Sequence, residues 1–273
     1  MQTHVARHSR LIITSLAACA AALATLAAAG PARAQTTVNY VALGDSYSSG
    51  VGAGSYTSSS GSCDRSSNAY SQLWADANDP ASYVSVACSG ATTSSVISTQ
   101  LSALSSATTL VSITIGGNDV GFSSVMETCV LDSTSSCVSA VDTAESEMTS
   151  ELPGNLDGVL ADIAADAPNA RVVVLGYPDL YDLSKSSGCI GLSTTDRTDL
   201  NQAAGELDAK LEAAAASYGD VYGDVQSAFA GHEICDSSSW LHSVNFLDID
   251  ESYHPTATGQ ADGYYPVFSA AAG

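Results

Sequence analysis

Five short apolar runs, rich in β-branched residues, constrain the fold of this 273-residue chain more than any other feature. They lie at Val38–Leu43, Tyr83–Ala87, Leu110–Ile115 and Arg171–Leu175, with a weaker one at Asp220–Val225. Each is nearly continuous rather than alternating and is bounded by Gly, Pro, Ser or Asn, which is the pattern of strands buried on both faces. Helix-forming segments separate them: Asn68–Ala77, Thr93–Leu104, Val138–Ala167 interrupted at Pro153-Gly154, and Thr195–Tyr218 with Thr195 or Asp196 as its cap. This alternation predicts an open, mostly parallel sheet with helices on both faces and a site at the carboxyl ends of the strands. Ser55–Ser67 and Phe122–Ser136 fit neither period, contain cysteines and read as disulfide-pinned loops over that site. Gly50-Val51-Gly52-Ala53-Gly54 lacks the spacing of a nucleotide-binding glycine loop and reads as a flexible connection.

The first 34 residues read as a secretory signal peptide. His4, Arg7, His8 and Arg10 precede the alanine-rich apolar stretch Leu11–Ala29, and Ala32-Arg33-Ala34 supplies a small-residue cleavage site before Gln35. No Arg-Arg pair is present, which favours the general secretion route, and no stop-transfer flank follows, so no stable membrane anchor is expected. Residues 35–273 are then expected to form one secreted, extracellular domain, acting as a monomer. Cys19 leaves with the leader, and Cys63, Cys88, Cys129, Cys137, Cys189 and Cys235 remain. An even count in an exported chain implies disulfides, with 15 pairings open. No C-x-x-C or H-E-x-x-H occurs, so neither a metal site nor another cofactor is expected. Loss of Arg7, Arg10 and Arg33 leaves five of the eight basic residues against 29 acidic ones, a formal charge of −24. Such a field disfavours nucleic acid as a partner and anionic lipid as a docking surface.

The chemistry-bearing residues sit at the ends of the apolar runs. Ser46 directly follows Val41-Ala42-Leu43-Gly44-Asp45. A serine there needs a base, because a free hydroxyl is almost fully protonated at neutral pH. Only three histidines lie beyond the leader, and His254, followed by Pro255 at the entrance of the segment Thr256–Ala270, is the candidate. An imidazole of ordinary pKa would give activity that rises through pH 6 to 7. His232 and His242 read as packed or surface residues. Ser48 occupies the second glycine position of a G-x-S-x-G elbow, so the α/β-hydrolase turn is disfavoured. Cys88-Ser89-Gly90 and Gly116-Gly117-Asn118-Asp119 end two further runs, where the backbone N–H groups of Ser46 and Gly90 and the Asn118 amide suit an oxyanion hole. Glycine at 90 would let the backbone approach the oxyanion closely. Asp45 and Asp119 are expected to brace these loops by accepting from backbone amides.

The order GDS, a glycine, GGND and a histidine near the C-terminus resembles the SGNH (GDSL-type) hydrolase superfamily, and more closely its secreted actinobacterial, Streptomyces-type lipases, esterases and phospholipases A. The resemblance implies a three-layer α/β/α, flavodoxin-like parallel sheet of about five strands. It also implies the pairing Cys63–Cys88, Cys129–Cys137 and Cys189–Cys235. The family's usual orienting aspartate stands three residues before the histidine, and here Glu251 holds that place. In the actinobacterial lipases a backbone carbonyl close before the histidine takes the role, so the Ser252 carbonyl is the first candidate and Glu251 the second. The implied activity is hydrolysis of carboxylic esters in small molecules or lipids, phospholipid acyl esters included, through an acyl-enzyme. A carbohydrate O-deacetylase of the same superfamily and a non-catalytic secreted binding module are the alternatives.

Overall fold

The sheet has strand order β2-β1-β3-β4-β5, with every pairing parallel, in a computed structural model that describes residues 37–185, 189 and 191–273. The expected leader, residues 1–34, lies outside the described residues. Strands β1 (Asn39–Gly44), β3 (Leu110–Thr114) and β4 (Arg171–Leu175) are interior and almost wholly buried, as continuous apolar runs require. The runs at Tyr83–Ala87 and Asp220–Val225 depart from that expectation. They become β2 (Ser82–Ser85) and β5 (Val221–Gly223), short edge strands that are partly exposed because each has a neighbour on one side only.

Helices cover both faces. A four-residue turn, α1 (Ser46–Ser49), follows β1, and α2 (Tyr70–Asn78) packs with the C-terminal helix on one face. There Tyr40 of β1 stacks on Phe268 at 5.2 Å and meets Trp74 edge-on at 5.4 Å. Thr93–Leu104 is not one helix. Thr92 caps α3 (Thr93–Ser95), which widens into a π-turn over Val96–Gln100 and tightens again at Leu101–Ala103. Phe122–Ser136 is likewise not a loop. It forms α4 (Phe122–Leu131) and the start of α5 (Thr134–Ser150), its weak helix formers held by burial of Met126 and Cys129 and by the Cys129–Cys137 bridge between the helices. The interruption expected at Pro153-Gly154 falls at Glu151, between α5 and α6 (Leu152–Asp166), and Pro153 sits in the first turn of α6, where its missing N–H costs nothing.

On the other face α6 packs with α7 (Thr194–Tyr218). Ser193, not Thr195 or Asp196, caps α7. Its hydroxyl accepts from the Asp196 N–H while the Asp196 carboxylate accepts from the Ser193 N–H, a capping box that places Asp196 at the third helical position. α8 (Val225–Phe229) follows β5, and the segment after His254 coils through a π-turn at Gly259–Tyr264 into α9 (Tyr265–Ala272). The three disulfides join Cys63 to Cys88, Cys129 to Cys137 and Cys189 to Cys235. In this strand order the crossovers leave β1 in opposite directions, so a crevice opens at the carboxyl ends of β1 and β3.

Candidate active site

Ser46 is the first residue of α1, two positions past Gly44, the last residue of β1, at the crevice. Asp45 caps that turn, accepting from the Tyr47 N–H at 3.0 Å, the Thr114 hydroxyl at 2.6 Å and the Tyr177 hydroxyl. Burial raises its carboxyl pKa to about 6 against these donors. Asp45 therefore braces the nucleophile turn. Ser46 itself is 8% exposed, with its N–H among the orphan donors of a helix start.

His254 Nε2 lies 2.7 Å from Ser46 Oγ, and its Nδ1 lies 3.0 Å from the Ser252 carbonyl oxygen. A carbonyl only accepts, so Nδ1 carries the proton and Nε2 is left as the acceptor for the serine hydroxyl. The Glu251 carboxylate points elsewhere. It accepts from the Tyr56 hydroxyl at 2.7 Å, and that hydroxyl accepts from the Gly52 N–H at 2.8 Å. Burial pushes the His254 pKa down to about 4, with the nearby His242 acting in the same direction, so the ring is held neutral far below the range of a solvated imidazole.

The Gly50–Gly54 stretch is not a flexible connection, since residues 50–53 are buried. Gly52 has φ +86°, and a Cβ there would stand 2.7 Å from the Pro255 carbonyl oxygen and 3.1 Å from His254 Cβ. His242 does more than pack. Its Nε2 donates to the Gly52 carbonyl at 2.8 Å, its N–H donates to the His254 carbonyl at 3.0 Å, and its own carbonyl accepts from the Tyr253 N–H at 3.0 Å. Sequence reasoning also missed Tyr47, whose hydroxyl donates to the Tyr253 carbonyl at 2.6 Å and whose ring lies 5.1 Å from that of His254. Gln260 ties the same region together, donating to the Tyr47 carbonyl and accepting from the Tyr70 N–H, both at 2.9 Å. Single tyrosines and glutamines carry no spacing signal, so composition and periodicity could not have singled these out.

Gly90 and Asn118 meet Ser46 around one groove. Gly90 has φ +75° with nothing within 4 Å of a built Cβ, so its backbone conformation and not a shortage of room calls for glycine. Asn118 Nδ2 donates to the Ala91 carbonyl at 3.0 Å, which fixes the amide and leaves its second hydrogen for the groove. Asp119 accepts from the Thr93 N–H at 3.0 Å and from its hydroxyl at 2.5 Å, pinning this loop to α3. The groove has a volume of about 540 Å³, and Phe246, Ile249 and Leu131 stand exposed on its lips. A smaller and almost wholly apolar cavity of about 60 Å³ also borders Ser46 and Asn118, with Phe122 and Tyr177 in its wall.

The arrangement is that of acyl transfer: a hydroxyl on a neutral imidazole whose tautomer is fixed, facing a cluster of N–H donors. Comparison with known proteins agrees. Lipase 1 of Streptomyces coelicolor is 56% identical over 264 residues, 97% of this chain and 96% of that one. A phospholipase A1 from Streptomyces albidoflavus NA297 superposes with a TM-score of 0.85 at 54% identity, covering 86% of this chain and all of the other. An extracellular lipase from Streptomyces rimosus gives 0.84 at 50% identity, covering 86% and 99%. The model of the GDSL-like lipase/acylhydrolase family matches residues 42–261, a span that holds Ser46, Gly90, Asn118 and His254, and the chain belongs to that family of carboxylic ester hydrolases.

Proposed function

We propose that this chain is a secreted serine esterase or lipase that cleaves acyl esters, phospholipid acyl esters included, with Ser46 and His254 as a dyad. The observation that carries the reading is the 2.7 Å contact between His254 Nε2 and Ser46 Oγ, with Nδ1 on a backbone carbonyl. Ser46 Oγ attacks the ester carbonyl carbon as His254 Nε2 takes its proton. Charge develops on the former carbonyl oxygen, where the N–H groups of Ser46 and Gly90 and the Asn118 amide receive it. Collapse breaks the carbon–oxygen bond to the alcohol, and His254 returns the proton to the leaving oxygen. Water, deprotonated by the same nitrogen, then attacks the acyl-enzyme and releases the acid and free Ser46. No cofactor enters these steps.

Secretion is supported by the leader pattern at 1–34, by three disulfides and by the extracellular S. rimosus relative. Among the described residues no helix is long and apolar enough to cross a membrane. A single domain over 35–273, acting as a monomer on small or lipidic esters, fits this reading. The test is labelling with a fluorophosphonate followed by peptide mapping. The adduct is expected on Ser46, absent in Ser46→Ala and accompanied by loss of ester hydrolysis of several orders of magnitude. An unlabelled protein without turnover would mean a binding module instead. Turnover confined to acetylated sugars would mean a deacetylase.

A further inference from the structure

We infer that Tyr253, held in a left-handed conformation by Tyr47 and His242, is the positioning residue that stands in for the carboxylate of a triad: its turn aims the Ser252 carbonyl at His254 Nδ1. The inference rests on the reading of Ser46 and His254 as nucleophile and base. Ser252 has φ −59° and ψ 135°, Tyr253 has φ +64°, and the His254 N–H donates to the Glu251 carbonyl at 3.2 Å. These are the marks of a type II β-turn over 251–254, with a tyrosine where that turn calls for glycine or asparagine. A type I turn needs no positive φ and would suit tyrosine better. The two types differ by a flip of the central peptide, and here that peptide carries the Ser252 carbonyl. In the type I form the oxygen would point the other way, and Nδ1 would lose the acceptor it has at 3.0 Å. The tautomer of His254 thus depends on a turn that its own sequence disfavours.

Tyr253 is pinned from both sides. Its N–H, in the peptide that would flip, donates to the His242 carbonyl at 3.0 Å, and its carbonyl, in the next peptide, accepts from the Tyr47 hydroxyl at 2.6 Å. With both flanking peptides bonded to outside partners, φ at Tyr253 is fixed by the fold and not by local preference. Its own hydroxyl lies 3.1 Å from that of Tyr181, which seats the side chain that the left-handed backbone presents. The two partners are themselves anchored beside the nucleophile. Tyr47 follows Ser46, donates its N–H to Asp45 at 3.0 Å and accepts at its carbonyl from Gln260 at 2.9 Å. Burial raises the Tyr47 pKa, so the hydroxyl stays a donor throughout the working range. His242 Nε2 reaches the Gly52 carbonyl at 2.8 Å, and its N–H pairs with the His254 carbonyl at 3.0 Å. The residue after the serine therefore secures the residue before the histidine, across 206 positions of sequence.

Conformational rescue gives the test. Tyr47→Phe keeps the ring and removes the hydroxyl, leaving a buried carbonyl without its donor, a loss that corresponds to roughly tenfold or more. It should lower kcat by about that factor with KM little changed, and should weaken the low-field proton NMR signal of His254 Nδ1–H. The same change is then made in two backgrounds that both lack the tyrosine ring. Glycine adopts a positive φ freely and alanine does not, so the loss in kcat should shrink to about twofold or less in the Tyr253→Gly background and persist in Tyr253→Ala. Tyr253→Asn, which also tolerates this conformation, serves if the glycine variant does not fold. An equal loss in all three backgrounds, an unchanged kcat in Tyr47→Phe, or a lowered kcat with the Nδ1–H signal intact overturns the assignment. Fluorophosphonate labelling of the wild type separates this from failure of the dyad itself: labelled, active protein that gives one of those results loses only the turn, whereas unlabelled, inactive protein loses nucleophile and base as well.

Discussion

At His254 an acid three residues upstream is present, yet its carboxylate does not bond the ring. The Glu251 carboxylate reaches Tyr56, and through it the Gly52 N–H, whereas Nδ1 is satisfied by the Ser252 carbonyl. Glu251→Gln is therefore expected to cost less than about tenfold in kcat, because the amide oxygen still accepts from Tyr56 and the tautomer is untouched. A triad carboxylate changed to its amide can lose about 10⁴-fold, so a loss above a thousandfold in folded protein would restore Glu251 as the orienter. Removing one oxyanion donor by Asn118→Ala should lower kcat by roughly 10²–10³-fold with KM little changed. The pH profile follows from burial. The base works only when neutral, and a pKa near 4 keeps it neutral down to mildly acid conditions. Accordingly kcat/KM on a soluble ester should stay near its plateau to about pH 5 and fall below it. An acid limb centred on the usual 6.5 would mean that the ring is solvated in the working enzyme.

Among the elements, all five strands were legible as apolar runs, most clearly the interior ones, where burial on both faces leaves a continuous run, and the strand ends carrying Ser46, Gly90, Asn118 and Asp119 followed from them. The one-sided exposure of the edge strands, the helix α4 and the broken helix after Thr92 were not, since each is decided by tertiary contact rather than local preference. The Gly52 segment was misread for the same reason. Its glycines suggest freedom, but the absent Cβ makes room for Pro255 and His254. Gly52→Ala should displace the histidine segment and reduce both Tm and kcat, and unchanged kinetics would show that the contact is not needed. The disulfides can be ranked by the chain they close, with sequence separations of 8, 25 and 46. In the chain-entropy picture their loss costs roughly 2.5, 3.5 and 4 kcal/mol. Urea unfolding of paired Cys→Ala variants should give that order, and an inverted order would show that native-state packing, not loop closure, sets their worth.

For the whole molecule the governing fact is an excess of acid, some of it buried. Burial raises the pKa of Asp45 to about 6, of Asp208 to about 7 and of Asp220 to about 6, and raises Asp119 and Asp179 as well. Between an unfolded carboxylate's value near 4 and these folded values, the native state binds more protons than the unfolded chain, so stability falls as pH rises. His254 opposes this, because its lowered pKa makes the unfolded chain bind the extra proton between about 6.5 and 4. One histidine stands against five carboxyls, and mutual repulsion among the 29 acidic residues also grows as pH rises through the carboxylate range. Thermal stability should therefore increase from pH 8 towards about pH 5 while the base remains neutral, and added salt should raise Tm more at pH 8 than at pH 5 by screening the surface charge. Calorimetric scans across that range check both. A Tm that declines steadily from pH 8 to pH 5 would show that the buried carboxyls are stabilised as anions, with Asp45 and Asp208 drawing more from their hydrogen-bond donors than burial takes away.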